Sequence, residues 1–276
     1  AGARQYLEGA IDAYDVAHRY EHLALYAQDP KAVCLVRLAW VDLWAGDAGR
    51  ADERARSALE LAVDLDHFMT RWYVLTYASI IAAESEDLVR LAELLEEAER
   101  LGKRFPERYL TIVGKALRGW LDVCEGSPRG IERIVQSVAR SRTEGESLHL
   151  TYTLLLLARA RGSTGELHEG RAATQEGLSL SQRRNQGYLE AELWRVDGEL
   201  AYRGGEPQAA ASLHKAVEVA AGQGASWLEL RALHSLASRY PDQTVRQQLA
   251  ALVETMPSGH DLPAFRAATG HLSDSG

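Results

Sequence analysis

Two cysteines, Cys34 and Cys124, are all that this 276-residue chain carries, and both lie in apolar stretches far apart in sequence. That scarcity excludes a disulfide-dense secreted scaffold. The two thiols read instead as small, unpaired hydrophobes in a cytoplasmic setting. Long apolar runs are missing too: the longest uncharged stretches, Trp72–Ala83 and Ser147–Ala158, are 12 residues each, against the ~18 or more that a bilayer-spanning helix needs. No membrane association is expected. The chain begins without methionine and without a basic region followed by an apolar one, so it reads as an excised fragment rather than a natural translation start. Basic blocks are also absent. The formal net charge is −8 with acids spread throughout, whereas nucleic-acid binding needs a positive footprint, so direct DNA or RNA contact is not expected. Lysine stands only at 31, 103, 115 and 215 among 31 basic residues, the rest being arginine. GC-rich coding produces such a bias, which points to a bacterial chain.

Catalytic signatures are equally scarce. Gly102-Lys103 and Gly114-Lys115 lack the upstream glycine and the following Ser/Thr of a phosphate-binding loop. Gly162-Ser163-Thr164-Gly165 is not a nucleophile elbow and has no strand before it. His18 and His22 share a helix face but have no evident third metal ligand, and they read as ordinary helix-surface histidines. Glu96, Glu97 and Glu99 beside Arg100, Lys103 and Arg104 follow the acid-before-base order of a solvated helix face. The expectation is a non-enzyme without a cofactor.

What the chain has in quantity is alanine, leucine, arginine and glutamate, the strongest helix formers. Prolines number only seven, and the residues are 46% hydrophobic and 25% charged, enough to bury a core. A spacing of four then three recurs at Ala51-Ala55-Ala58, Leu91-Leu95-Ala98, Ile131-Val135-Val138, Gly170-Thr174-Gly177 and Ala209-Leu213-Ala216, with first members 40, 40, 39 and 39 residues apart. Residues at i, i+4 and i+7 share one helix face, so each triplet marks a small-residue seam. Before each seam sits a turn of breaker residues: Gly46-Asp47-Ala48-Gly49, Ser85-Glu86-Asp87, Gly126-Ser127-Pro128, Gly162-Ser163-Thr164-Gly165 and Gly204-Gly205-Glu206-Pro207. Five tryptophans, Trp40, Trp44, Trp72, Trp120 and Trp194, fall upstream of these turns, and Trp227 falls on the helix read from Ala225 to Tyr240 that Pro241 stops. The repeating unit is therefore an aromatic helix A followed by a small-residue helix B, and no period-two strand pattern competes with it.

The expected fold is an all-α, TPR-like superhelix, a solenoid of about six hairpins with a period of ~40 residues, forming one repeat domain over 1–276. Residues 1–20 form a leading B-type helix carrying Ala3-Leu7-Ala10, residues 31–256 the helix pairs, and residues 257–276 a tail with a short helix and a frayed end. Val245-Leu249-Leu252 marks the last B helix.

A pair of helices with small residues at the B seam resembles the tetratricopeptide class, although its usual period is ~34 residues. Tyr188–Leu200 and Ala220–Ala232, with His22–Pro30 and Cys34–Trp40, are similar to the C-terminal TPR-like region of large bacterial ATPase-containing regulators. The likeness runs from about residue 3 to 268. In that group a STAND-type or AAA-like ATPase module precedes the repeats, and many members carry a cyclase or DNA-binding output. The linker around Arg239-Tyr240-Pro241 is shorter than in the group, and no ATPase or output segment occurs in these residues. The resemblance implies a binding and relay role, with a protein or peptide partner that includes the parent chain's ATPase module, or else a small-molecule effector. It also implies that the A helices line a concave groove. Trp40, Trp44, Tyr73, Trp120, Tyr152, Arg159, Trp194 and Tyr202 are the candidate groove residues, since aromatic and arginine side chains are enriched as binding anchors.

Overall fold

The computed structural model describes residues 2–104, 108–127, 129–144 and 149–273. Pro128 of the third turn and the last three residues of the expected frayed end lie outside them. The described residues are helical throughout, with no strand. The chain divides into two compact units, 1–114 and 115–276. The first contains α1 (Gly2–Asp12), α2 (Arg19–Tyr26), α3 (Pro30–Trp44), α4 (Ala48–Asp64), α5 (Phe68–Glu84) and α6 (Leu88–Arg104). The division falls within α7 (Arg108–Cys124). The second unit continues with α8 (Arg129–Thr143), α9 (Leu150–Thr164), α10 (Leu167–Arg184), α11 (Glu190–Arg203), α12 (Ala209–Gln223), α13 (Ser226–Arg239), α14 (Gln243–Thr255) and α15 (Pro263–Ser273).

The hairpins repeat because one turn chemistry repeats. Gly46, Glu86, Gly126, Gly165 and Gly205 all adopt left-handed backbone, at intervals of 40, 40, 39 and 40 residues. In each, the next N–H reaches back to the carbonyl five residues earlier: Asp47 to Asp42 at 2.9 Å, Asp87 to Ala82 at 2.9 Å, Ser127 to Asp122 at 2.7 Å, Glu166 to Arg161 at 2.9 Å and Glu206 to Ala201 at 2.8 Å. This is the Schellman closure, which satisfies carbonyls left over at a helix end. Asp47 and Asp87 do a second task, accepting from the N–H of Arg50 at 3.1 Å and Arg90 at 2.9 Å to open the following helix. One residue thus ends helix A and starts helix B, which makes the pair antiparallel with almost no loop.

Packing follows the A and B division. Within unit 1, α3 packs on α4 and α5 on α6, while α3 also meets α5. Within unit 2 the pairs are α9 with α10, α11 with α12 and α13 with α14, and the A helices again touch in succession, α9 on α11 and α11 on α13. The seams of α4, α10 and α12 are sealed as expected: Ala51, Ala58, Ala209, Leu213 and Ala216 are at most 1% exposed, and Gly170, Thr174 and Gly177 are buried. Close approach is real at Gly198 of α11, where an added Cβ would stand 2.7 Å from Leu213 Cγ and 3.1 Å from its backbone nitrogen.

Two seams differ from their sequence reading. In α8 the buried face is Gly130, Ile134, Ser137 and Val138, and Val135 is exposed. The turn before it has one residue fewer between the left-handed glycine and the seam than the turns at Gly46, Glu86 and Gly165. The turn at Gly205 is short in the same way. These two turns are the ones whose sequence contains proline, and in α8 the shortening rotates the helix by one position.

The leading segment forms α1, a 3-10 turn at Val16–His18 and α2. Ala3 and Ala10 are exposed and Leu7 is half-buried, so α1 does not pack through a small-residue seam. Charge attaches it instead. Arg4 of α1 meets the sealed carboxylate of Asp42 at 2.5 Å, Arg54 of α4 meets the other Asp42 oxygen at 2.6 Å, and Arg54 also reaches Glu8 at 2.9 Å. At the other end, α15 docks on α13 and α14 through Phe265 and Ala268.

Candidate functional site

The expected anchors fall into separate groups. In unit 1, three of them meet on neighbouring A helices. Trp40 and Trp44, one turn apart on α3, cross edge to face with ring centres 4.9 Å apart, and Trp40 lies 5.6 Å from Tyr77 of α5. Tyr73 and Tyr77, one turn apart on α5, are 4.6 Å apart. Arg37 joins the set from α3: it donates to the Tyr77 hydroxyl at 3.1 Å and to that of Tyr73, and its guanidinium stands 5.0 Å and 5.6 Å from the two ring centres. Burial, then the neighbouring Tyr77, pushes the Tyr73 hydroxyl well above the usual phenol range, so it remains a neutral donor. The result is a cationic and aromatic patch whose half-buried members are Arg37, Trp40 and Trp44. Arg37 and Tyr77 were not among the expected anchors. Their signal was available in the i, i+4 pairing of Tyr73 with Tyr77.

Trp120 of α7 stands six residues before Gly126, as Trp40 stands six before Gly46, and both are half-buried. Asp122 pairs with Arg133 at 2.9 Å, reproducing the Asp42 and Arg54 contact two A helices and two B helices further on. In unit 2 the expected residues separate. Tyr152 has no exposed surface and belongs to the core. Trp194 is half-buried on α11. Tyr202 is exposed, sits 5.6 Å edge to face from Tyr240, and lies 5.2 Å under the Arg239 guanidinium, which pairs with Glu199 at 3.0 Å.

Arg159 leads to a constellation that periodicity did not point to. Its Nη2 lies 2.8 Å from Oε1 of Glu192, a carboxylate only 1% exposed. Arg195, three residues further along α11, reaches the same oxygen at 2.6 Å and donates through Nε to Oε2 at 2.9 Å. Arg231 of α13 arrives at 3.1 Å. Three successive A helices, α9, α11 and α13, thus converge on one carboxylate. Burial alone would push Glu192 up; Arg195, Arg231 and Arg159 together more than reverse that and hold it well below the ordinary carboxylate range. The sequence did contain a sign: Glu192 shares a helix face with Leu189, Leu193 and Val196, all buried, and a charge there needs partners.

A cavity of about 340 Å³ opens in unit 1 between α1, α2 and α3, lined by Tyr14, His22, Tyr26, Pro30, Val33 and Cys34 among others. Tyr14 donates to Asp29 at 2.6 Å, and Asp29 in turn caps α3 by accepting from Ala32 at 2.9 Å. His22 lies 5.3 Å from the Tyr14 ring and 6.3 Å from Tyr26. Among the described residues no group of three or more His, Cys, Asp or Glu could hold a metal ion. Nor is any described helix long and apolar enough to cross a membrane. Neither cysteine is in a disulfide, Cys34 being buried and Cys124 exposed.

These features define an all-α helix-hairpin repeat protein whose non-repeating chemistry is carried by its A helices. Comparison with known protein families gives no match. An uncharacterized protein of Rhizobium meliloti strain 1021 is 25% identical over 234 residues, which is 83% of this chain and 23% of that protein. The chain therefore spans about a quarter of the length of that curated relative. Among solved structures, the chain is similar to a Signal Transduction ATPase with Numerous Domains (STAND) protein with a tetratricopeptide repeat sensor from Pyrococcus horikoshii. The TM-score is 0.51 at 12% identity, covering 98% of this chain and 43% of the other. At that identity the likeness is one of fold.

Proposed function

We propose that the chain is the non-catalytic repeat arm of a larger bacterial regulator, binding a protein or interdomain partner and relaying the bound state to an ATPase module of its parent chain. The observation that carries this reading is the unit 1 patch of Arg37, Trp40, Trp44, Tyr73 and Tyr77, in which side chains favoured at binding hot spots are held by two rigid A helices. Support also comes from the STAND protein of like fold, whose repeat region is described as a sensor. Two cysteines outside any disulfide suit a cytoplasmic setting.

The test compares ATP turnover and output of the intact parent with those of a version lacking residues 1–276 and of one carrying Trp40→Ala with Arg37→Ala. Deletion is expected to change turnover. The double variant is expected to weaken partner binding at least tenfold, the usual effect of removing hot-spot anchors. Unaltered turnover and output after deletion would sink the proposal. A second reading, a sensor for a small effector, is favoured by the cavity between α1, α2 and α3, whose volume of about 340 Å³ and aromatic lining lie within the range of ligand pockets. A metabolite screen by thermal shift, with Tyr14→Ala as control, separates the two.

A further inference from the structure

The cavity of unit 1 is built by helix spacing. On α3, Pro30, Val33 and Cys34 stand at i, i+3 and i+4, and on α2 His22 and Tyr26 stand at i and i+4, so each helix turns one face to the space between them. Ala10 and Ala13, near the end of α1 and just beyond it, are small enough to leave that space open. Tyr14, His22 and Tyr26 follow one another as a run of rings, with centres 5.3 Å and 6.3 Å apart.

Charge is missing from this lining. Among the described residues no Asp, Glu, Lys or Arg lines the cavity. Tyr14 donates to Asp29, and burial, then that bond, raises its pKa. Burial likewise pushes the Cys34 thiol up, so it remains a neutral part of the wall. The cations near Tyr14 act on Tyr14 itself, Arg19 on its hydroxyl and Lys31 at 5.8 Å from its ring centre. His22 differs: its Nδ1 is buried without a hydrogen-bond partner, a state that buried polar atoms seldom keep. A charged ligand would lose water here with no opposite charge to meet it. An apolar ring instead displaces loosely held water and gains affinity. A cavity of ~150 Å³ holds benzene, so one of about 340 Å³ has room for one ring, or two fused rings, with a substituent.

We propose, on the reading of this cavity as an effector site, that it binds an uncharged aromatic molecule of one or two rings carrying a hydrogen-bond donor, a phenol or an indole. Its ring lies against Tyr14, His22 and Tyr26, and its O–H or N–H donates to Nδ1 of His22. Because α1 and α2 bury no side chain of their own, the occupant supplies apolar contact that fastens them to α3. Tyr14 carries that fastening further: Asp29, which accepts from it, caps α3 and donates its own N–H to Thr70 of α5 at 2.9 Å. Occupancy is thus felt at the start of both helices that hold the Arg37, Trp40 and Tyr73 patch.

The test titrates the whole chain calorimetrically at pH 7.5 with phenol, indole, toluene, benzoate and benzylammonium. Phenol and indole are expected to bind at least tenfold more tightly than benzoate or benzylammonium. Phenol should exceed toluene by about two- to tenfold, the worth of one hydrogen bond. His22→Phe keeps a ring but loses the nitrogen, and is expected to abolish the advantage of phenol over toluene while toluene still binds. An unchanged advantage would overturn the His22 contact. Ala13→Phe, at an exposed position, fills the cavity and is expected to abolish binding of all five probes, with Val33→Phe as the substitute if it fails to fold. Phenol should also slow hydrogen exchange over residues 2–26 in the wild type and leave it unchanged in Ala13→Phe. Tighter binding of benzoate or benzylammonium than of phenol, lost in Ala13→Phe, would overturn the uncharged class while keeping the cavity as an effector site. If no probe binds in a way that Ala13→Phe removes, the proposal fails, and a metabolite screen without a hit would remove the effector reading as well.

Discussion

The five A-to-B turns from α3–α4 to α11–α12 place the same demand on one backbone position, and four of them meet it with glycine. The exception is Glu86, held at φ 61° with its side chain in solvent. A left-handed L-residue costs about 1–2 kcal/mol, whereas a glycine there loses about 0.4–1 kcal/mol through the greater freedom of its unfolded chain. Relief of strain outweighs entropy, and no side-chain contact is lost. Glu86→Gly is therefore expected to stabilise the protein by about 0.5–1 kcal/mol in urea denaturation. A loss of stability would show that Glu86 has a role beyond closing the turn. The same residue shows what periodicity could and could not convey. Breaker chemistry at Ser85-Glu86-Asp87 located the turn, but nothing in that tripeptide identified which residue carries the positive φ. Arg159 was legible as an A-helix residue, yet its partner Glu192 was not, because a lone acid on an apolar face announces a missing counter-charge without naming the helix that supplies it.

At the level of elements, spacing located the hairpins from α3 onward because each seam and each turn reports the same 40-residue interval by independent chemistry. It erred where one of these signals was weak. In α8 a shorter turn moved the seam from Ile131 and Val135 to Gly130 and Ile134, and in α1 Ala3 and Ala10 stay exposed because the helix is fixed to α3 through Arg4 and Asp42 instead. The terminal element α15 was legible only as a short helix, and its docking introduces a titratable contact. His271 of α15 crosses His234 of α13 edge to face at 5.8 Å. Burial, then the neighbouring His271, lowers the His234 pKa, with Glu199 acting against the shift and Arg195 and Arg239 adding to it. A base whose folded pKa is depressed contributes its full stability above the unfolded value of 6.5 and loses it as pH falls through the folded value. Docking of α15 is thus expected to weaken below about pH 6.5, where His234 would have to take up a proton in its buried place against α15. Hydrogen-exchange protection factors over 263–273 at pH 7.5 and pH 5.5 measure this directly. Equal protection at both values, or an unchanged pH response in His234→Gln, would remove the histidine pair from the account.

Across the described residues, the main helix contacts join elements that are close in sequence, as α11 joins α9, α10, α12 and α13. Stability in such an array is a sum of repeat terms and neighbour interfaces, so damage spreads to the next hairpins and then fades. Glu192 offers a severe local perturbation, because removing one partner of a buried ion pair costs about 3–5 kcal/mol and this carboxylate is shared by Arg159, Arg195 and Arg231. In chloride buffer, Glu192→Gln should speed exchange across α9, α11 and α13, which the cluster joins, and across their partners α10 and α12. The Schellman-closed hairpins α3–α4 and α5–α6 of unit 1 should keep their wild-type protection, since their interfaces and their Asp42 network contain none of the altered contacts. Uniform acceleration in both units would mean that the chain unfolds as one cooperative body. Acceleration confined to unit 2 would mean that the effect of the substitution fades within a few hairpins, as the neighbour-limited coupling of a repeat array requires.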